Sequence, residues 1–198
     1  MKEQSKRKAK KQIWKPGNML YPLPAVLVSV GDQGGKINIL TVAWTGTICT
    51  NPPMLYISVR PQRYSYEMIR GTGEFVVNLT TEQMVKAVDY CGVRSGRDVD
   101  KWKEMHLTPQ KAEKLNYAPL IAESPVNIEC RVKEIKELGS HDMFLAEVVA
   151  VWVSEDYMRE NGKFELNQSG LLVYSHGEYL GLGKSFGTFG YSVKKKKR

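Results

Sequence analysis

Ile128-Glu129-Cys130-Arg131-Val132-Lys133 alternates apolar and charged residues one for one, and beyond the turn Gly139-Ser140-His141-Asp142 a β-prone run extends from Phe144 to Val153. A period of two is that of a strand with one buried and one wet face. Outward from there the same signal recurs. Ala25-Val26-Leu27-Val28-Ser29-Val30 closes at Gly31-Asp32-Gln33-Gly34-Gly35, and this β-branched run with its glycine turn predicts a hairpin whose partner runs from Ile37 to Thr45. Met54–Val59, Glu74–Leu79 and Leu171–Tyr174 read as further strands, while Asn51-Pro52-Pro53 must be a loop because proline cannot feed a central ladder.

Helical signal is scarce by comparison. Tyr64 to Ile69 fits a short helix with Ser65, or the residues before it, near its N-cap, and Gly71-Thr72-Gly73 stops it. Thr81 to Val88 fits a second, capped by Thr80 or Thr81, with Met84, Val85 and Val88 on one face. Many strands and few helices predict a mainly β fold, a β-barrel with helical insertions. No internal boundary divides it, so one domain is expected over residues 13–193, between basic tails at 1–12 and 194–198.

The tails account for the charge. The chain of 198 residues carries a net +8, yet residues 2–11 hold six Lys/Arg against one acid and residues 194–198 are five consecutive bases. The remainder holds 18 bases and 20 acids, a charge of −2. Such runs are ordinarily solvated and disordered, and the body offers no recognisable nucleic-acid motif, so no specific nucleic-acid partner is expected. No apolar run reaches the ~18 residues that a bilayer requires, so no membrane partner is expected either. The basic start lacks the apolar segment of a secretory signal. Cys49, Cys91 and Cys130 are odd in number and form no C-x-x-C pair, which argues against both a disulfide framework and a zinc site. A cytoplasmic protein with reduced thiols is the expectation.

The common catalytic signatures fail. There is no P-loop, no G-x-G-x-x-G between strand and helix, no H-E-x-x-H and no G-x-S-x-G, and Gly181-Leu182-Gly183 reads as a turn. Three segments are richer. Thr41-Val42-Ala43-Trp44-Thr45-Gly46-Thr47-Ile48-Cys49-Thr50 surrounds one tryptophan with small and hydroxylated residues, which lets backbone groups approach a planar polar ligand. By itself it reads more simply as a threonine-rich strand and turn. Arg60-Pro61-Gln62-Arg63-Tyr64-Ser65 stands at a predicted helix N-terminus, where free N–H groups, guanidinium groups and a hydroxyl suit a phosphate. A surface turn with solvated arginines fits it as well. His141 in its tight turn is either a structural hydrogen-bonder or a side chain reaching into a neighbouring pocket.

Taken in order, Thr41–Pro53, Arg60–Ser65, Gly73–Leu79, Ser95-Gly96-Arg97-Asp98-Val99-Asp100-Lys101-Trp102 and Gly139–Asp142 resemble the flavin reductase-like family of FMN-binding split barrels, which includes flavoredoxins and archaeal ferric reductases. The resemblance covers about Asn18 to Val193. It implies FMN as cofactor. Thr41, Ala43, Trp44, Thr45, Cys49 and Thr50 would then line the isoalloxazine, and Arg60, Arg63, Tyr64 and Ser65 would hold the phosphate. It makes Asp100, Lys101 and Trp102 a second flavin-contacting segment, one that reaches across a dimer. It also places His141 beside the flavin as a catalytic residue seating the nicotinamide, with Cys49 near the ring. Gly-Ser-His-Asp stands where other branches have Gly-Asp-His, a departure that falls on His141 itself. The activity implied is an NAD(P)H-dependent reductase of flavin, ferric complexes or a protein acceptor, working as a homodimer. The alternative is a flavoredoxin-like electron-transfer protein without a nicotinamide site of its own.

Overall fold

The computed structural model describes residues 10–193, so residues 1–9 of the tail expected at 1–12, and all of the tail at 194–198, lie outside the described residues. In chain order the strands are β1 (Leu23–Pro24), β2 (Val26–Gly31), β3 (Ile37–Val42), β4 (Thr45–Thr50), β5 (Pro53–Val59), β6 (Glu74–Asn78), β7 (Pro109–Gln110), β8 (Leu120–Ile121), β9 (Val126–Glu137), β10 (Asp142–Val153), β11 (Leu172–Ser175) and β12 (Glu178–Gly181). The α-helices are α1 (Tyr64–Thr72), α2 (Val85–Val93) and α3 (Lys101–Glu104).

Seven strands form one antiparallel sheet in the order β3-β2-β6-β9-β10-β5-β4. Its two edges are neighbours in sequence, since only Ala43 and Trp44 separate the end of β3 from the start of β4. Three Cα steps span at most about 11 Å, whereas a flat sheet of this many strands is roughly 29 Å across. The sheet must therefore curl almost shut. The Ser58 backbone N–H donates to the Trp44 carbonyl at 2.9 Å and helps hold the seam. The expected mainly β barrel with helical insertions is the observed architecture.

The barrel interior is filled by alternate residues: Val26, Val28 and Val30 of β2, Leu55, Ile57 and Val59 of β5, Phe75 and Val77 of β6, Cys130 of β9, and Phe144 and Ala146 of β10. Tyr66, Met68 and Ile69 of α1 plug it. The other face of β2 and β3, through Ala25, Leu27 and Ile39, packs against Met84, Ala87, Val88 and Cys91 around α2 and against Trp102. With both faces covered, β2 is buried along its whole length, which is why it reads as a continuous apolar run.

Several local readings change. The predicted run from Ile37 to Thr45 breaks at Ala43-Trp44, because Thr45 already belongs to the opposite sheet edge. The N-cap of α1 is Arg63 and makes no side-chain cap bond; Ser65 lies inside the first turn, buried. A 3-10 turn at Glu82–Met84 precedes α2, so the helix starts later than expected and Val85 points outward at 38% exposure while Met84 and Val88 are buried. Gly181 ends β12 and is not a turn. The wet face of β9 is not wet at Glu129, which is fully buried. Residues 111–118 fold across that face. Glu129 Oε1 accepts from the Glu113 N–H at 2.9 Å and the Trp152 indole N–H at 2.7 Å, and Oε2 accepts from the Lys114 N–H at 2.7 Å. Glu74, also buried, accepts from the N–H groups of Asn116 and Tyr117.

Candidate functional site: two joined cavities between β3, α1 and the His141 turn

The seam of the barrel is where function-bearing side chains meet. A cavity of about 180 Å³ is lined by Leu40, Thr41, Val42, Ala43, Trp44, Ser58, Val59, Arg60, Arg63 and His141. β10 pairs with β5 so that Asp142 faces Val59, which carries the preceding His141 to the end of β5 beside Arg60. The imidazole packs on Trp44 with ring centroids 4.3 Å apart and planes tilted by 44°. Ser140 Oγ lies 3.0 Å from His141 Nδ1 and steadies the ring. Partial burial holds the His141 pKa below its ordinary value, the positive charges of Arg60 and Arg63 push it further down, and Asp142 opposes them. Asp142 is buried and turned inward, its Oδ2 accepting from the Tyr66 hydroxyl.

A second cavity, about 150 Å³, shares Leu40, Thr41 and Arg63 with the first and continues past the N-terminus of α1. Its charged lining is Arg63, Arg94, Arg97 and Lys101, with no carboxylate among them. The first N–H groups of α1, at Tyr64 and Ser65, have no acceptor within the helix. Among the described residues none of these four cations makes an ion pair. Three of the four are tied to backbone instead. Arg63 donates to the Gly92 carbonyl at 3.0 Å, and Arg97 donates to the Gln62 carbonyl at 3.2 Å and lies 5.4 Å above the Tyr64 ring. Lys101, only 3% exposed, donates to the Ile39 and Cys91 carbonyls at 2.7 and 2.8 Å. That leaves one of its three N–H donors without a partner. Burial lowers the Lys101 pKa to about 8, with Arg63 adding to the effect and Cys91 opposing it.

Gly96 brings the Arg94–Arg97 loop this close. A Cβ there would lie 2.3 Å from Asn38 Oδ1 and 2.7 Å from Tyr64 Cδ1. Beyond it opens a larger cavity of about 610 Å³, which holds Asp100, Lys101 and Trp102 in its lining.

The sequence-derived residues divide accordingly. Thr41 and Arg63 line both joined cavities, Ala43, Trp44, Arg60 and His141 the first, and Tyr64, Ser65 and Lys101 the second. Arg60 thus shares the first cavity with Arg63 and His141 and does not line the second, where Arg63 meets Tyr64 and Ser65. Ser65 Oγ accepts from Asn38 Nδ2 at 2.8 Å in a buried contact. Asp100 caps α3 through the N–H groups of Trp102 and Lys103, and Trp102 packs in the core. Thr45 lines neither joined cavity; its hydroxyl donates to the Tyr56 carbonyl. Cys49 pairs with Met54, five residues along β5 from Val59, so it and Thr50 sit roughly 17 Å down the strand from the His141 end. Asn38, Arg94 and Arg97 were not singled out. Only the Ser95-Gly96-Arg97 run hinted at the last.

A cation-only cavity with helix N–H groups fits a phosphate, and the adjoining cavity, walled by backbone and two aromatic rings, fits a planar heterocycle. The residues present therefore suit a flavin mononucleotide. A barrel with this site defines a class, the split-barrel flavoproteins. Residues 19–183 match the model of the flavin reductase like domain, and the chain belongs to that family. It is similar to flavoredoxin of Desulfovibrio vulgaris (Miyazaki F), with 29% identity, a TM-score of 0.86, and coverage of 93% of this chain and 100% of that one. An FMN-binding protein from Thermus thermophilus with bound 1-cyclohex-2-enone is 25% identical at a TM-score of 0.74, covering 92% and 99%. A flavin reductase of Pseudomonas putida is 25% identical over 137 residues, 69% of this chain and 76% of that protein. Family and fold together establish a flavin-linked oxidoreductase class. Among the described residues no helix is long and apolar enough to cross a membrane, and no cluster of His, Cys, Asp or Glu could hold a metal ion.

Proposed function

We propose that the chain is an FMN-dependent oxidoreductase that takes electrons from NAD(P)H and delivers them to flavin, a ferric complex or a protein acceptor. The observation that supports this reading is the junction of the two cavities at Leu40, Thr41 and Arg63, which joins a cavity lined by four cations to one walled by Trp44 and His141. When bound, the flavin supplies hydride acceptance and electron release. The protein's part is binding and electrostatics. Arg63, Arg94, Arg97, Lys101 and the first N–H groups of α1 would hold the phosphate. The Thr41–Trp44 backbone would face the ring edge, and Trp44 with His141 would wall the ring from water and seat the nicotinamide. Burial and the charges of Arg60 and Arg63 lower the His141 pKa and so favour its uncharged imidazole form.

Likeness to a flavoredoxin favours a second reading, an electron carrier reduced by a partner protein. The two separate in one experiment. FMN-loaded protein mixed anaerobically with NADH or NADPH should lose its flavin band near ~450 nm within seconds, the chemistry residing in the cofactor. A band that persists with both donors overturns the reductase and favours the carrier.

We further propose a homodimer in the cytoplasm. Ile13 and Trp14 at one end and Phe186 and Phe189 at the other are 101%, 70%, 85% and 107% exposed, apolar residues that a second copy would cover. Sedimentation of the protein as a monomer at micromolar concentration would refute the dimer.

A further inference from the structure

Arg60 is the one arginine of the site that lines the ring-side cavity without lining the phosphate-side cavity. It is exposed at the cavity mouth, and its side chain has neither an ion pair nor a hydrogen-bond partner among the described residues. No carboxylate lines that cavity. Asp142, the acid beside His141, is buried against Tyr66. The field of Arg60 nevertheless reaches into the cavity, where it helps to depress the pKa of His141. A phosphate in the neighbouring cavity would be matched by Arg63, Arg94, Arg97 and Lys101. Arg60 would remain uncompensated.

We propose that Arg60 sets the charge preference of the site, making its mouth select small anionic electron acceptors over cationic ones. The inference rests on the flavin reading above. A single unpaired guanidinium at the rim of a low-dielectric cleft concentrates anions there and raises their rate of productive encounter, an effect that salt removes.

The test uses the full chain loaded with FMN, reduced photochemically without oxygen, and mixed in a stopped-flow instrument with ferricyanide or with hexaammineruthenium(III). Per dihydroflavin anion, two ferricyanide ions become two ferrocyanide ions as two electrons and one proton are lost. The basic chain ends attract any anion, so the decisive quantity is a difference between two variants of equal charge change. At low salt Arg60→Glu should slow ferricyanide about tenfold and speed hexaammineruthenium, while Lys111→Glu, outside the cavities, should change either rate less than about twofold. Raising the ionic strength to about 0.5 M should erase the difference. A second readout needs no flavin. By proton NMR of the unloaded chain, Arg60→Gln should raise the His141 titration midpoint. Ferrocyanide should raise that midpoint in the wild type and not in Arg60→Gln. An Arg60→Glu effect no larger than that of Lys111→Glu, or a His141 midpoint unmoved by Arg60→Gln, overturns the proposal while leaving FMN binding intact. Failure of the chain to take up FMN overturns the flavin reading instead, and the NMR titration then decides the role of Arg60 alone.

Discussion

Two parts of the barrel bury charged side chains, and they treat them in opposite ways. On the outer face of β9 and β6, both oxygens of Glu129 accept from N–H groups of the loop at residues 111–118 and from Trp152, and Glu74 Oε2 accepts two N–H groups of the same loop. At the seam, buried Lys101 uses only two of its three donors, while Arg60, Arg63, Arg94 and Arg97 are exposed and make no ion pair among the described residues. Burying a charge is costly unless hydrogen bonds compensate it. A saturated buried charge is a structural device, since nothing more can approach it. One left incompletely satisfied beside a cavity implies a ligand to complete it. The comparison locates the site more sharply than either cavity's size does.

The strongest test breaks the saturated side. Glu129→Ala leaves three part-buried N–H donors without their acceptor, and we expect it to destabilise the fold by about 2–3 kcal/mol, the upper part of the range for stranded donors. Chemical denaturation measures it. Glu129→Gln, which keeps one acceptor, should cost less. A loss for Glu129→Ala below about 1 kcal/mol would mean that the loop is not held this way.

That contrast also marks how far the sequence could be read. The alternation over Ile128–Lys133 identified a strand and the barrel correctly, because strand period depends only on neighbours along the chain. It assigned Glu129 to solvent, because what covers that face is a loop with no periodic signal of its own. The site behaved likewise. Trp44, Arg63 and His141 were legible from the motifs around them. Arg94 and Arg97 lie in an aperiodic polar stretch, and only the fold brings them to α1 through the close approach of Gly96 to Asn38 and Tyr64. Arg60 was assigned to the phosphate by its place beside Arg63. Residues 60–63 form a turn in which the Arg63 N–H donates to the Arg60 carbonyl; both side chains line the ring-side cavity, and only Arg63 also lines the phosphate-side one.

Turning to the unsaturated side, Lys101→Met should weaken FMN about 10–100-fold, the worth of a charge-assisted hydrogen bond. Riboflavin, lacking the phosphate, should bind nearly as before. Equal losses for both ligands by fluorescence titration would show that Lys101 braces β3 against α2 and nothing more.

The lowered Lys101 pKa adds a pH dependence with opposite signs for ligand and fold. The free protein loses the Lys101 proton near pH 8, and a bound phosphate would favour keeping it. FMN affinity should therefore fall as pH rises through 8, by at most about tenfold per pH unit. Folding stability should move the other way. Between pH 8 and the ordinary lysine value of 10.5 the unfolded chain holds more protons at this residue than the folded one, so this residue's contribution to stability rises with pH. Lys101→Met should flatten both curves.

The smallest expected effect falls on Ser65. As a solvent-facing hydroxyl at a helix N-terminus it would be a direct phosphate ligand, and its loss would cost as much as that of an arginine. Its Oγ, though, is buried and already accepts from Asn38 Nδ2. Asn38 in turn meets the loop at Gly96. Ser65→Ala should then weaken FMN only about threefold, through a loosened Asn38, well inside the range for one neutral hydrogen bond. Asn38→Ala, which removes the contact from the other end, should reproduce the loss. The double variant should lose no more than the larger single one, because both act through the same bond. Additive losses in that cycle would return Ser65 to direct contact with the phosphate and put it back on the unsaturated side of the comparison.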